Sequence, residues 1–372
     1  MVFGAAGMVI MVAASNLLVL LLGLELLSLS LYILAGFART RLTSEEAALK
    51  YFLLGSFALG LLIYGIALIY GTTQTLDYSG IARAMGSEPS SNPTLLVGLG
   101  LVLVGFAFKL SLVPFHMWAP DVYEGAPTPV TAYMAVGTKA VAFAALLRML
   151  TTAFPAVQQE WAWPLAAMAA ATMIWGNVAA VVQGNIKRLL AYSAIAHAGY
   201  ILMAVVAGGS AATGAMVFYL VAYTAMNYGA FSVIVAVAGG REENLSLDDY
   251  AGLSRRHPWL AAAMAVFMLS LAGVPPTAGF LAKLYVFSAA LQGGYLWLAI
   301  VGIATSVVAM YYYLRVVVVM YMSEPAAEAV PSKPAPSMVA VMLVAAFFTL
   351  QLGILPGLIL IPSELPIFQA LP

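Results

Sequence analysis

An all-α polytopic membrane protein is the fold class this sequence predicts, on three observations. Of 372 residues, 63% are hydrophobic and only 8% charged, and the mean hydropathy of +0.99 exceeds what a soluble core can use. The apolar material comes in windows of about 20 residues, the helical length that crosses a hydrocarbon layer of about 30 Å. Stretches such as 17–22 and 316–319 are apolar on every side, whereas barrel strands would alternate polarity over about ten residues.

Taken in order, the windows predict about eleven spans, near 3–14, 16–37, 48–70, 95–119, 128–152, 163–183, 189–207, 213–238, 259–291, 295–322 and 338–361. The first lacks the basic flank of a signal peptide and runs on past Ser15-Asn16 into the next window, so it reads as part of a span. Alternate threading puts Arg39, Arg41, Lys50, Lys187, Arg188, Arg241, Arg255, Arg256 and Lys333 at ends on one side and leaves Arg83 and Arg148 on the other. This bias orients the chain and supports the span count, because one missed helix would scramble every later loop. The C-terminus is then expected outside the cytoplasm. The connections 71–94, 239–258 and 323–337 are too short for a soluble domain, and the Pro-rich 324–336 reads as a linker.

Weak internal symmetry predicts two inverted five-helix repeats with broken helices, plus a C-terminal helix. Glu25 precedes Lys109 by 84 positions (109 − 25), and His197 precedes Lys283 by 86 (283 − 197). Phe108-Lys109-Leu110-Ser111-Leu112 before Pro114 echoes Phe267-Met268-Leu269-Ser270-Leu271 before Pro275-Pro276. Five being odd, the second copy would be inverted, an arrangement that puts sites near the bilayer midplane. The expected units are 1–158, 159–322 and a linker with a transmembrane helix over 323–372.

Several functions drop out on composition. Fifteen Lys and Arg balance fifteen Asp and Glu, which leaves no electrostatic footprint for nucleic acid. Without cysteine the chain holds no thiolate-ligated iron–sulfur cluster and no Cys-ligated zinc. His116 and His257 lie near span ends, so no second central histidine exists for a haem pair with His197. No cofactor or metal is therefore expected on this chain.

What the composition leaves is a set of ionisable side chains inside apolar windows: Glu25, Lys109, Lys139, His197 and Lys283. At about 1.5 Å per residue, Glu25, Lys139 and His197 lie roughly 12–17 Å into the hydrocarbon layer, beyond the reach of ordinary snorkelling. Placing one such charge at a helix centre costs about 2.5–3.5 kcal/mol, so the set must be paired, hydrated or neutral. Desolvation disfavours a charged amine and a nearby carboxylate favours it, so making or breaking a Glu25–Lys109 pair would load or unload a proton. Breaks accompany the lysines: Pro114, Pro120, Pro127 and Pro129 follow Lys109, and Val274-Pro275-Pro276-Thr277-Ala278-Gly279 precedes Lys283. Carbonyls freed by proline are tolerated at membrane depth only where protein or trapped water satisfies them. The combination predicts a proton relay, with a structural ion pair as the alternative. Tyr311-Tyr312-Tyr313 is expected as an interfacial anchor or an inner aromatic cluster, and Lys187-Arg188 as a topology signal.

The stretch from Lys109 to Ala132, KLSLVPFHMWAPDVYEGAPTPVTA, resembles the signature of the antiporter-like membrane subunits of respiratory complex I. Leu24-Glu25-Leu26, Thr138-Lys139-Ala140 and the run from Gly273 to Lys283, GVPPTAGFLAK, fit the same family in order and spacing, so the resemblance covers essentially the whole chain. It implies a proton-translocating subunit of a NADH–quinone oxidoreductase in a bacterial inner membrane, with flavin, iron–sulfur clusters and quinone held by other subunits. It also implies roles: Glu25 and Lys109 as a pair, Lys139 as a central relay, Lys283 as the exit-side lysine, and His197 bridging the two half-channels. Lys283, where subunit M would be expected to carry glutamate, and an end without the long lateral helix of subunit L point to the remaining antiporter-like subunit, with K and M as neighbours. The start of the chain matches the family's fourth helix, so the first three are expected to be absent. A subunit of a multi-subunit sodium–proton antiporter is the related alternative.

Overall fold

The computed structural model describes residues 1–85, 92–238, 245–324 and 335–357. The described residues are helical throughout and contain no strand beyond two isolated bridges. Arg241 and Lys333, most of the linker at 324–336 and everything after 357 lie outside them, as does the side on which the chain ends.

The first helices are α1 (Val2–Ala13), α2 (Leu17–Ala35) and α3 (Leu42–Thr73). Asn16 starts α2 by accepting the Leu18 amide at 2.8 Å, and its own amide donates to Asp77 at 2.7 Å just before the short α4 (Tyr78–Ala84). Helices α1 and α2 cross on glycines: a Cβ at Gly7 would sit 2.6 Å from the Leu27 nitrogen, so nothing larger fits.

Two expected spans are each divided. The first, expected over 95–119, is α5 (Pro93–Leu110), which breaks off early, with the short α6 (Trp118–Gly125) following mostly beyond the expected span, and the second is α13 (Pro258–Ala272) followed by α14 (Ala278–Gln292). Both leading halves end alike. Ser111 at φ 58° and Gly273 at φ 88° take the left-handed conformation, and the next amide bonds back to the final turn, Leu112 to Ala107 at 2.8 Å and Val274 to Leu269 at 3.0 Å. Pro114 and Pro275 then prevent the helix from resuming. A further span is α7 (Thr128–Tyr133) joined to α8 (Lys139–Ala153) by a single π-turn at Met134–Thr138, which ends at Lys139.

The remaining spans are α9 (Gln158–Val181), α10 (Ile186–Ala207), α11 (Gly209–Ala238), α15 (Leu296–Met322) and α16 (Pro336–Ile354). A 3-10 turn at Leu247–Tyr250 and the short α12 (Leu253–Arg256) occupy the 239–258 connection. Helices recur at the expected positions, but among the described residues nine are long and apolar enough to cross a membrane; Val2–Ala13, Pro258–Ala272 and Ala278–Gln292 are shorter, and the expected 338–361 runs past the described residues. Helix α10 is the central post: 94% of its apolar window is enclosed, against 22% for α16.

Candidate functional site

Every lysine and histidine expected in the membrane interior faces protein. Lys109, Lys139, His197 and Lys283 are 3%, 1%, 2% and 5% exposed, while Glu25 is half-buried. The five form no direct hydrogen bond or ion pair with one another; Glu25 and Lys109 share a cavity, and His197 and Lys283 both pack against Tyr200.

Lys109 lies on the last turn of α5 and donates from Nζ to Ser28 Oγ at 2.9 Å and Tyr51 OH at 3.1 Å. The direct Glu25–Lys109 pair is therefore replaced by an indirect one. Glu25 is one turn before Ser28 on α2, its Oε2 has no hydrogen-bond partner, and both residues line a cavity of about 10 Å³ with Ser28, Gly55 and Gly105. That volume suits one water with polar partners on two sides.

The other two lysines solve one problem in one way. Lys139 Nζ donates to the carbonyl of Leu110, the last residue of α5, at 3.1 Å. Lys283 Nζ donates to Leu271 and Ala272, the last residues of α13, at 3.0 and 2.9 Å, and to Ser306 Oγ at 2.9 Å. Terminal carbonyls have no intrahelical donor and carry the negative end of the helix dipole, so an amine placed there satisfies them and has its charge stabilised. Gly273 closes over Lys283: an added Cβ would lie 3.1 Å from its Cδ and 3.3 Å from Nζ.

His197, midway along α10, bonds through Nδ1 to Tyr219 OH at 2.7 Å and through Nε2 to Tyr313 OH at 3.1 Å. Tyr313 also bonds Ser193, one turn earlier on α10. Sequence symmetry pairs His197 with Glu25, whereas the helix caps give a different register. Asn185 caps α10 as Asn16 caps α2, and their bridges, Asn16 to Asp77 and Asn185 to Ser246, each span 61 residues (77 − 16 and 246 − 185). Counting from the caps, His197 falls opposite Ser28, the partner of Lys109, and Ala194 opposite Glu25.

The sequence reading missed the hydroxyl partners Ser28, Tyr51, Tyr219 and Ser306. It also placed the Tyr311-Tyr312-Tyr313 run only loosely: Tyr311 is 60% exposed, whereas Tyr312 and Tyr313 are buried in the polar cluster. The spacing of Ser193, His197 and Tyr200 along one face over about two helical turns was the available signal.

Lys187 and Arg188 do more than mark topology. Lys187 is buried and donates to the Ala126 carbonyl at 2.5 Å, between α6 and α7. Arg188 bonds Asp121 at 2.7 Å and Glu124 at 2.9 Å, and Lys50 from α3 bonds the same Asp121 at 2.8 Å. Burial pushes the Asp121 carboxyl up, but hydrogen bonds from Lys50 and Arg188 outweigh it and hold the group below the ordinary aspartate range. This network pins α6 to α3 and to the start of α10. Among the described residues no group of three or more His, Asp or Glu is placed to hold a metal ion.

The family model described as NADH:quinone oxidoreductase/Mrp antiporter, TM, matches residues 14–309. The chain belongs to that family. Members similar to it are named NADH-quinone oxidoreductase subunit N: that of Trichlorobacter lovleyi is 50% identical over 96% of this chain and 74% of its own length, and that of Chloroflexus aggregans 49% identical over 95% and 73%. The chain thus spans about three-quarters of these relatives. Among solved structures, a chain of respiratory complex I from Thermus thermophilus with bound aureothin superposes with a TM-score of 0.82 at 40% identity, covering 96% of this chain and 78% of that one. A chain of the Mrp complex from a Dietzia species superposes with 0.87 at 25% identity, covering 97% and 75%. The resemblance read from the Lys109–Ala132 and Gly273–Lys283 motifs is borne out, as is the all-helical, multi-pass fold.

Proposed function

We propose that this chain is a proton-translocating subunit of the membrane arm of a bacterial NADH–quinone oxidoreductase, working through Glu25, Lys109, Lys139, His197 and Lys283. The observation that carries the reading is the seating of Lys139 and Lys283 on the terminal carbonyls of broken helices, out of contact with lipid. For an intramembrane amine held this way the terminal carbonyls offset part of the cost of carrying charge, and a shift of the break changes that offset, which is what loading and unloading a proton requires. Lys109 gives and takes its proton through the small cavity it shares with Glu25. Moving one proton against 100 mV takes about 2.3 kcal/mol. A change of about two in the pKa of one amine supplies that, so no large domain motion is needed. Electron transfer, flavin, iron–sulfur clusters and quinone belong to other subunits of the assembly.

The recurring caps, left-handed helix ends and proline breaks support two inverted units over 1–158 and 159–322, with 323–372 as linker and last helix. Subunits K and M are its proposed neighbours in the inner membrane, with the C-terminus on the non-cytoplasmic side. Fold likeness to an Mrp chain keeps sodium–proton exchange as a second reading, but that chain is 25% identical against 40% for the complex I chain. Sodium coordination also favours clustered carboxylates, and the interior offers Glu25 alone. Lys109→Met and Lys283→Met in the assembled complex test the proposal: both are expected to lose proton pumping together with much of the coupled oxidation. Normal pumping in either would leave a scaffold, and pumping that requires sodium would favour the exchanger.

A further inference from the structure

Asn177 of α9 links the His197 cluster to the Lys283 cluster by hydrogen bonds, and Tyr200, on its Lys283 side, also packs its ring 5.8 Å from that of His197. Asn177 is completely buried. Its Nδ2 donates to the Met173 carbonyl at 2.7 Å and to Tyr200 OH at 3.0 Å, and its Oδ1 accepts from Tyr312 OH at 3.1 Å. On the Tyr312 side lies Tyr313, whose ring centroid is 4.3 Å from that of Tyr312 and whose hydroxyl bonds His197. On the other side Tyr200 places its ring 5.5 Å from Lys283 Nζ. The crossing of α9 and α10 makes this reach possible, because a Cβ at Gly176 would come within 2.7 Å of the Ala196 nitrogen.

The direction of each hydrogen bond around Asn177 is settled by chemistry. A backbone carbonyl only accepts, so the amide edge facing Met173 must be the nitrogen, which turns the oxygen toward Tyr312. Tyr312 is therefore a donor here and Tyr200 an acceptor. Thr305 spends its own proton on the Val301 and Gly302 carbonyls, at 2.8 and 3.1 Å, so its oxygen, 3.2 Å away, accepts the Tyr200 proton. A hydroxyl relays a proton by accepting one on a lone pair and releasing its own. A carboxamide takes a proton at oxygen and would have to release one from nitrogen, leaving an imidic acid, so it does not relay.

We propose that Asn177 is an insulating junction, which holds the His197 and Lys283 clusters in hydrogen-bonded register while preventing a proton from crossing between them along a standing chain of hydroxyls. Protons then pass only when the clusters rearrange during turnover. The inference rests on the relay reading of His197 and Lys283, and Asn177 acts as a positioning residue within it.

The test uses the assembled complex in inverted membrane vesicles, energised with NADH and then stopped with an inhibitor, while a fluorescent amine dye follows decay of the pH gradient. Asn177→Asp is close in size and titratable, and Asn177→Ser supplies a relaying hydroxyl. Both are expected to let the gradient decay several-fold faster than the parent at equal complex content. Asn177→Leu cannot carry a proton and is expected to keep the parent's slow decay. Should the Asp variant fail to assemble, the Ser variant decides alone. Parent-like decay in the Asp and Ser variants, or equally fast decay in the Leu variant, overturns the junction. Lys283→Met in the same vesicles separates the two ideas. Normal pumping there sinks the relay and the junction with it, whereas lost pumping without any leak in the Asn177 variants sinks the junction alone.

Discussion

Gly273→Ala puts the seating of Lys283 to a quantitative test. Gly273 ends α13 at φ 88°, where an L side chain costs roughly 1–2 kcal/mol. The new Cβ would meet Lys283 Cδ at 3.1 Å and Nζ at 3.3 Å, so the amine has to give by a few tenths of an ångström, which strains its bonds to the carbonyls of Leu271 and Ala272. A hydrogen bond to a charged group is worth about 1.5–3 kcal/mol, and losing one of these is comparable with the cost of moving a proton against 100 mV, about 2.3 kcal/mol. Pumping should therefore fall, and the complex, destabilised by the backbone cost together with the weakened Lys283 hydrogen bonds, should melt lower but still assemble. Dye-quenching in NADH-energised vesicles, normalised to complex content, reads the first effect, and a thermal melt of the purified complex reads the second. A Gly273→Ala complex that pumps at the parent rate would show that Lys283 does not work from the end of α13.

Three further outcomes follow from the geometry. Ser111 carries the same left-handed conformation without glycine, and its buried hydroxyl has no hydrogen-bond partner, so Ser111→Gly should raise the melting temperature, by up to about 1 kcal/mol in stability; a fall would reveal a bound water on that hydroxyl. Gly176→Leu should force α9 from α10, at a cost of at least about 1–3 kcal/mol, and reduce assembled complex in the membrane; normal assembly would contradict the packing. For Asp121 the folded carboxyl lies below its ordinary range, so its contribution is present above the unfolded value near 3.9 and is lost as pH falls through the folded value. Asp121→Asn should accordingly lower the melting temperature at neutral pH and converge on the parent in strong acid, and a deficit unchanged by pH would refute the ion-pair account.

The spans and both breaks were legible because charge is rare in this chain and proline and glycine have few uses inside a helix. Lys109, Lys139, His197 and Lys283 stood out for the same reason. The π-turn before Lys139 was not, since Met134-Ala135-Val136-Gly137-Thr138 reads like any apolar helix and the extra residue shows only in the backbone. Hydroxyl partners were hidden by their ambiguity: in membrane helices serine usually bonds its own helix, and Ser28 does so, donating to Leu24 at 2.7 Å while accepting from Lys109. Which of three successive tyrosines faces inward depends on the rotation of α15, which an apolar sequence does not encode. The offset between Glu25 and His197 has a different origin: it arises when the asparagine caps that start α2 and α10, rather than the distance to the nearest lysine, set the register.

Ordered water between Glu25 and Lys109 is the most direct test of the relay. A map of the assembled complex that resolves solvent should hold a water in the cavity lined by Glu25, Ser28 and Lys109, within hydrogen-bond reach of both the carboxylate and the amine. A dry cavity there, or amines of Lys109, Lys139 and Lys283 turned toward acyl chains, would contradict the account.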